Sequence, residues 1–335
     1  MHIPVLTKEV IEYLDVRSNR NYVDCTYGLG GHSRTILEKN GPNGKVLGIE
    51  TDRELAERSK SEILNPKSET NSKSKIQNIA ARLCIVNDSY RNFKKIIETY
   101  NFKPVHGILF DLGISMWHLR ESGRGFSFLK DEPLDMRYNP SKTGNSLLAG
   151  DLLKGDKSSR FARSGEGRQT NQKFKTDNLT AAIIVNQWPT EDIEQILKEY
   201  GEERFARAIA EAIGNHRNIR QISRTAELVE IIEYSIPEWY CRRRIHCATK
   251  TFQALRIATN HELEAVGEAL PQAIESIEQE GKIAVISFHS LEDRIVKIMF
   301  RRWEEEGRGH VVTKKPIQAS LREKRINPAS RSAKL

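Results

Sequence analysis

Short apolar runs alternate with stretches of helical spacing along the first hundred residues. The runs at 21–25, 45–50, 82–86 and 105–111 are brief and bounded, the pattern of buried strands. Between them, residues 33–39, 53–64 and 93–100 mix polar and apolar positions as helices do. Such alternation predicts βαβ units and a parallel sheet. The rhythm stops after Asp111, and residues 119–145 are rich in Gly, Pro and charge with no period. Helical spacing returns over 190–232. There Ile193, Ile196, Leu197 and Tyr200 share one face, and Phe205, Ile209 and Ile213 share another. A long helix is predicted over 251–280, kinked or broken at Pro271. A fifth strand at 283–288 follows, then a helix over 291–303, then a basic tail with little apolar content.

The simplest architecture is α/β: an open, largely parallel sheet interrupted by a mostly helical insert. Residues 1–118 plus 247–335 would form the sheet domain and residues 119–246 an inserted substrate-recognition domain. An excess of Ser, Lys, Gly, Arg and Asn predicts a mobile segment over 141–178, and residues 65–78 read as a smaller loop insertion.

The length of 335 residues fits about two domains. No run approaches the ~20 apolar residues of a membrane span. The start, Met1-His2-Ile3-Pro4, lacks the basic and apolar regions of a signal peptide, so a cytoplasmic protein is expected. Cys25, Cys84, Cys241 and Cys247 form no C-x-x-C pair. They predict neither a disulfide scaffold nor a zinc ribbon, and a reducing compartment fits. Cys241, His246 and Cys247 have poor spacing for zinc, and no metal is expected.

The net charge is +8 and unevenly placed. Residues 301–335 hold ten Lys/Arg against four Asp/Glu, and residues 141–178 hold eight against four, leaving the rest near neutral. Two basic segments on a neutral body suit a polyanionic partner such as nucleic acid.

In an open parallel sheet, ligands bind at the carboxyl ends of the strands. Asp24, Glu50 and Asp111 end predicted strands there, and His289 follows the fifth. The turn Gly28-Leu29-Gly30-Gly31-His32 lets a ligand lie against the backbone, with a helix N-terminus behind it. Glu50 lies 22 residues after Gly28, a spacing at which an acid reaches ribose hydroxyls. An adenosine-type nucleotide site is predicted. No third glycine completes a dinucleotide fingerprint, and no lysine follows as in nucleotide hydrolases. S-adenosylmethionine fits better than NAD or ATP.

The chain resembles the bacterial small-subunit ribosomal RNA cytosine-N4 methyltransferases. The matching stretches run in order along the whole chain. They include His2-Ile3-Pro4-Val5-Leu6, the glycine turn, Phe110-Asp111-Leu112-Gly113-Ile114-Ser115 and Arg124-Gly125-Phe126-Ser127-Phe128. Further matches are Tyr200-Gly201-Glu202-Glu203-Arg204-Phe205, Ser287-Phe288-His289-Ser290-Leu291-Glu292-Asp293-Arg294 and Asn327-Pro328-Ala329-Ser330-Arg331. The resemblance implies a class I S-adenosylmethionine-dependent domain with an inserted helical domain. It implies methyl transfer to the exocyclic N4 of cytosine 1402 in 16S ribosomal RNA, near the decoding centre. It further implies cofactor contacts from Gly30, Gly31, His32, Glu50, Tyr90, Asp111 and His118. Glu50, Tyr90 and His118 depart from the Asp, Phe and Gln usual in the family. Cys247 and Lys250 replace a usual proline and arginine.

Asp111 is the first candidate to polarise the amine, or it serves the cofactor. His289 and Asp135 are further candidates. Against these stand a capping role for His289 and an ion pair from Asp135 to Arg137 or Arg124. Arg301, Arg302, Lys314, Lys315, Arg322, Lys324 and Arg325, interleaved with Trp303, are candidates to hold the RNA backbone. The target base must be unpaired or flipped out to reach the cofactor. A second reading is a non-catalytic RNA-binding assembly factor on the same fold. A third, a nucleotide-dependent oxidoreductase, is opposed by the missing glycine.

Overall fold

Five strands form one sheet: β1 (Tyr22–Asp24), β2 (Val46–Glu50), β3 (Leu83–Asn87), β4 (Gly107–Asp111) and β5 (Lys282–Ile286). The order is β3-β2-β1-β4-β5 and every pairing is parallel. The protein is described from a computed structural model that covers residues 4–64, 79–140 and 178–335. The loop insertion expected over 65–78 and nearly all of the mobile segment expected over 141–178 lie outside the described residues.

The strands read as continuous apolar runs because both faces of the sheet are covered. Side chains alternate between two cores. Val23, Leu47, Ile49, Ile108, Phe110 and Val285 enter one. Tyr22, Val46, Leu109, Ala284 and Ile286 enter the other. Helices before and between the first four strands include α1 (Thr7–Tyr13), α2 (Gly31–Lys39), α3 (Arg53–Leu64) and α4 (Phe93–Thr99).

The chain divides into two compact units, one of Met1–Ser115 with Glu262–Leu335 and one of Met116–His261. The sequence reading drew the boundaries at 118/119 and 246/247, so it assigned residues 247–261 to the sheet domain and not to the second unit. The second unit is helical: α5 (Met116–Arg120), α6 (Ala181–Gln187), α7 (Thr190–Glu199), α8 (Ala206–Arg217), α9 (Thr225–Ser235), α10 (Glu238–Cys241) and α11 (Thr249–Asn260). The predicted faces are its core. Ile193, Leu197, Ile209 and Ile213 are fully buried, and Ile196 nearly so. Cys241 and Cys247 are joined by a disulfide, which the sequence reading did not expect. Their separation of six residues and Cα–Cα distance of 4.8 Å allow the link across one tight loop.

The long helix predicted over 251–280 is two helices, and the break is not at Pro271. Helix α11 ends where His261 adopts the left-handed conformation (φ 50°) and donates its N–H to the Ile257 carbonyl. Helix α12 (Glu262–Ser276) then runs through Pro271. A left-handed residue ends a helix more completely than a proline does, because it turns the chain out of the axis.

The predicted basic tail is also corrected. After α13 (Ser290–Glu305) the chain returns to the sheet and forms α14 (Leu321–Ile326). Ser287 and Lys334 exchange backbone hydrogen bonds of 2.9 and 3.0 Å just beyond β5. Ile317 and Leu335 exchange another pair. Ala319 and Ala333 are buried in the core that holds Val5 and Leu6. The Leu6 N–H donates to the Glu323 carboxylate at 2.7 Å. The apolar residues are few and small, yet they seat the segment.

Candidate active site at the carboxyl edge of the sheet

The strand order reverses between β1 and β4, and both strands end in an aspartate. This is the switch point at which open α/β sheets bind ligands. The turn after β1 is built from both sides. Asp24 is buried and accepts from the Ser33 hydroxyl (2.7 Å) and the Thr26 N–H (3.2 Å). Burial chiefly raises its pKa. The Thr26 hydroxyl accepts from the Asp111 N–H at 2.7 Å and so ties the turn to the end of β4. Thr26 was missed in the sequence reading, although a hydroxyl two residues past a strand-ending acid is a recognisable turn former.

Gly30 holds φ +73° at the N-terminus of α2, and a Cβ there would strike the Tyr27 ring. Glu50 closes the turn from β2. One of its oxygens accepts from the Gly28 N–H and the other from the Asp52 N–H, both at 2.8 Å. Burial pushes its pKa up to about 7. Each carboxylate oxygen keeps a further lone pair, so Glu50 braces the turn and still has acceptor capacity for ribose hydroxyls.

His32 lies in the first turn of α2 and is buried. Its Nε2 is 3.4 Å from Asp111 Oδ2, within ion-pair reach but not hydrogen-bonded. Burial lowers the His32 pKa, but Asp111 and Asp24 outweigh it and the net direction is upward. Neither ring nitrogen of His32, nor Asp111 Oδ1, has a hydrogen-bond partner among the described residues, although all three atoms are buried. Buried polar atoms are almost always paired, so His32 Nδ1 and Asp111 Oδ1, left without partners on two adjoining side chains, call for a ligand. Tyr90 meets Phe110 edge to face, with centroids 5.9 Å apart. The set offers acceptors, donors, free N–H groups at a helix terminus and an aromatic ring, which is what an adenosine-type cofactor requires.

The other sequence candidates each have surroundings of their own. His118 belongs to the second unit, buried with its ring 4.9–5.1 Å from those of Trp117, Phe126 and Tyr138. Asp135, also in the second unit, is held by Arg137 through two 2.7 Å hydrogen bonds. His289 is the N-cap of α13, where its Nδ1 accepts from the Glu292 N–H and Glu292 accepts from the His289 N–H. The Glu three residues after His289 signalled this capping box in the sequence. Glu262, His289 and Glu292 bring donor atoms within 4.8 Å of one another, but the cap already engages Glu292. In the second unit, Cys247 lies beside Glu233 and His246, but its sulfur is committed to the disulfide.

Of the RNA candidates, Arg301, Lys314, Lys315, Arg322 and Arg325 are exposed. Arg302 pairs with Glu306 at 2.7 Å, and Lys324 reaches Gln318 at 3.3 Å. Trp303 is corrected: it is buried against Phe300 in the sheet core and is closed to a base.

Relatives match over nearly their whole length, three of them as follows. Ribosomal RNA small subunit methyltransferase H of Clostridium botulinum (strain Kyoto / Type A2) is 36% identical over 349 residues, covering 100% of this chain and 97% of its own. The protein of that name from Persephonella marina is 38% identical, with the same coverage of both chains. The one from Heliobacterium mobile is 36% identical, again covering 100% and 97%. The model of the MraW methylase family matches residues 1–161 and 173–335. With the parallel sheet and its switch-point site in place, the chain belongs to the MraW methylase family.

Proposed function

We propose that the chain transfers a methyl group from S-adenosyl-L-methionine to the exocyclic N4 of cytosine 1402 in 16S ribosomal RNA, within the small ribosomal subunit. The observation that carries this reading is that His32 Nδ1 and Asp111 Oδ1, both buried at the switch point, lack hydrogen-bond partners among the described residues. The full-length likeness to proteins named as ribosomal RNA small subunit methyltransferases supports the choice of RNA. The departures at the matched positions keep the needed chemistry, since Glu50 still offers a carboxylate and Tyr90 a ring.

The cofactor, when bound, supplies an electrophilic methyl group on a sulfonium. Glu50 takes the ribose hydroxyls, Tyr90 packs on the adenine, and Gly30, Gly31 and His32 hold the amino-acid end. The part that the resemblance gives to His118 rests on that resemblance alone. Asp111 is the one proposed catalytic residue. The cytosine amine is a weak nucleophile because its lone pair is delocalised into the ring. An acceptor such as Asp111 Oδ1 helps that nitrogen pyramidalise. Positioning supplies most of the rate, since good orientation is worth roughly 7–11 kcal/mol.

The test is methyl transfer from labelled cofactor to small subunits, or to naked ribosomal RNA, from cells lacking the modification, followed by nucleoside mass spectrometry. N4-methylcytidine is expected, and Asp111→Asn should lower kcat at least tenfold. Cofactor binding with no modified nucleoside in either substrate would favour the assembly-factor reading.

A further inference from the structure

The second unit carries a surface of arginines and aromatic rings. Its centre is the loop that the Cys241–Cys247 disulfide closes, Arg242-Arg243-Arg244-Ile245-His246. Arg242, Arg243, Arg244 and Ile245 are all exposed. Arg242 pairs with Glu238. Arg243 lies over the Tyr240 ring at 4.8 Å. Arg244 has no ion-pair partner among the described residues. Next to the loop, Arg204 sits 5.7 Å from the ring centroids of both Phe205 and Trp239, and it too has no carboxylate partner among the described residues. Trp239 is 54% exposed. The neighbouring Glu203 is buried and spent internally: it accepts from the Tyr240 hydroxyl at 2.9 Å and from the Phe205 N–H at 2.9 Å.

Three guanidiniums thus face solvent without neutralising carboxylates among the described residues, two of them (Arg204 and Arg243) laid against rings and two (Arg243 and Arg244) on a covalently closed loop. Stacking on a ring holds an arginine extended and leaves its N–H groups free for an anion. Phosphates fit such donors in register, and a half-exposed tryptophan is a platform for an unpaired base. An ordinary solvated surface pairs its arginines with acids, as Arg207 does with Glu211 on the adjacent helix.

We infer that Arg204, Trp239, Arg243 and Arg244 form an RNA-docking surface of the second unit, which takes an unpaired stretch of the substrate RNA. The inference rests on the proposed RNA methylation. It adds a contact surface that the basic 301–335 segment does not supply.

The experiment measures binding of a small-subunit RNA fragment containing the target cytosine as a function of salt, alongside steady-state methylation. The variants are R243A/R244A, R243K/R244K, W239A and W239F. For R243A/R244A, Kd and KM for RNA should rise tenfold or more, with kcat and cofactor Kd unchanged. The slope of log K against log salt should become shallower by about 0.7 for each arginine lost from a single-strand contact. The lysine pair should keep the slope, and W239F should keep affinity that W239A loses. In the unmodified protein, RNA should shield Arg243 and Arg244 from an arginine-specific reagent, a readout independent of how any variant folds. Unchanged affinity and slope in R243A/R244A with no shielding would overturn the surface while leaving the function standing. Displacement of the RNA by an oligoglutamate peptide of equal affinity would also overturn it. A wild-type chain that neither binds nor methylates the RNA would remove the proposed function and this inference together.

Discussion

His32 and Glu50 place titrating groups in a buried cradle, and their protonation has a definite sign. The Glu50 pKa is held at about 7, above its ordinary 4.5. Between those values the folded chain binds more of this proton than the unfolded chain, so stability falls as pH rises across the window. His32 adds the same sign. Its pKa is raised above 6.5, so the stability it contributes is full below that value and is lost as pH climbs through the folded pKa. The melting temperature of the unliganded protein should therefore fall as pH rises from about 4.5 through about 7. Glu50→Gln should flatten that fall, because it removes the proton that burial retains. A pH–Tm profile identical in the two proteins would show that the Glu50 carboxylate is not desolvated as the structure has it. Cofactor affinity should move the other way in this range, since ribose hydroxyls need an ionised acceptor.

At the scale of elements, the glycine turn and the returning C-terminal segment each rest on a few contacts. Gly30→Ala forces a Cβ into a left-handed conformation and against the Tyr27 ring, and it should cost about 1–3 kcal/mol by calorimetry together with cofactor binding. Removing residues 317–335 uncovers Val5, Leu6 and the chain beyond β5, and should lower Tm by several degrees. Equal melting of the shortened and full chains would make that segment a passenger. These elements were not equally legible in the sequence. The strands were plain because the sheet is covered on both faces, and their carboxyl ends delivered Asp24, Glu50 and Asp111 directly. The helix break at His261 was not, because a histidine in the left-handed region has no signature to rival a proline. The folded tail was hidden for another reason: Ala319, Ala333 and Leu335 are small and far apart, so no periodicity marks them. Trp303 among arginines mimicked a nucleic-acid motif, while the helical period that buries it was equally present. The arginine loop passed unnoticed because its cysteines drew the reading toward metal.

For the whole molecule, charge is the property that decides association. The formal +8 is concentrated in stretches flanking a near-neutral body, so binding of small-subunit RNA should weaken steeply between about 0.05 and 0.2 M salt. A salt-independent affinity would mean that phosphates are not what the basic segments meet. The division into units has a consequence of a different kind, in the order of synthesis. The second unit is one uninterrupted stretch of chain, Met116–His261, whereas the first is split around it. A ribosome making this protein delivers β1 to β4 early and β5 only after about 170 further residues have emerged. Through that interval β4 has no neighbour on its outer side, since its partner there is β5. The helical unit has all of its residues first and can close around its own core. The half-built sheet must wait with an open edge, the state in which strands most readily find the wrong partner. The stage of life at which this protein is most exposed to aggregation therefore falls before it can bind any cofactor.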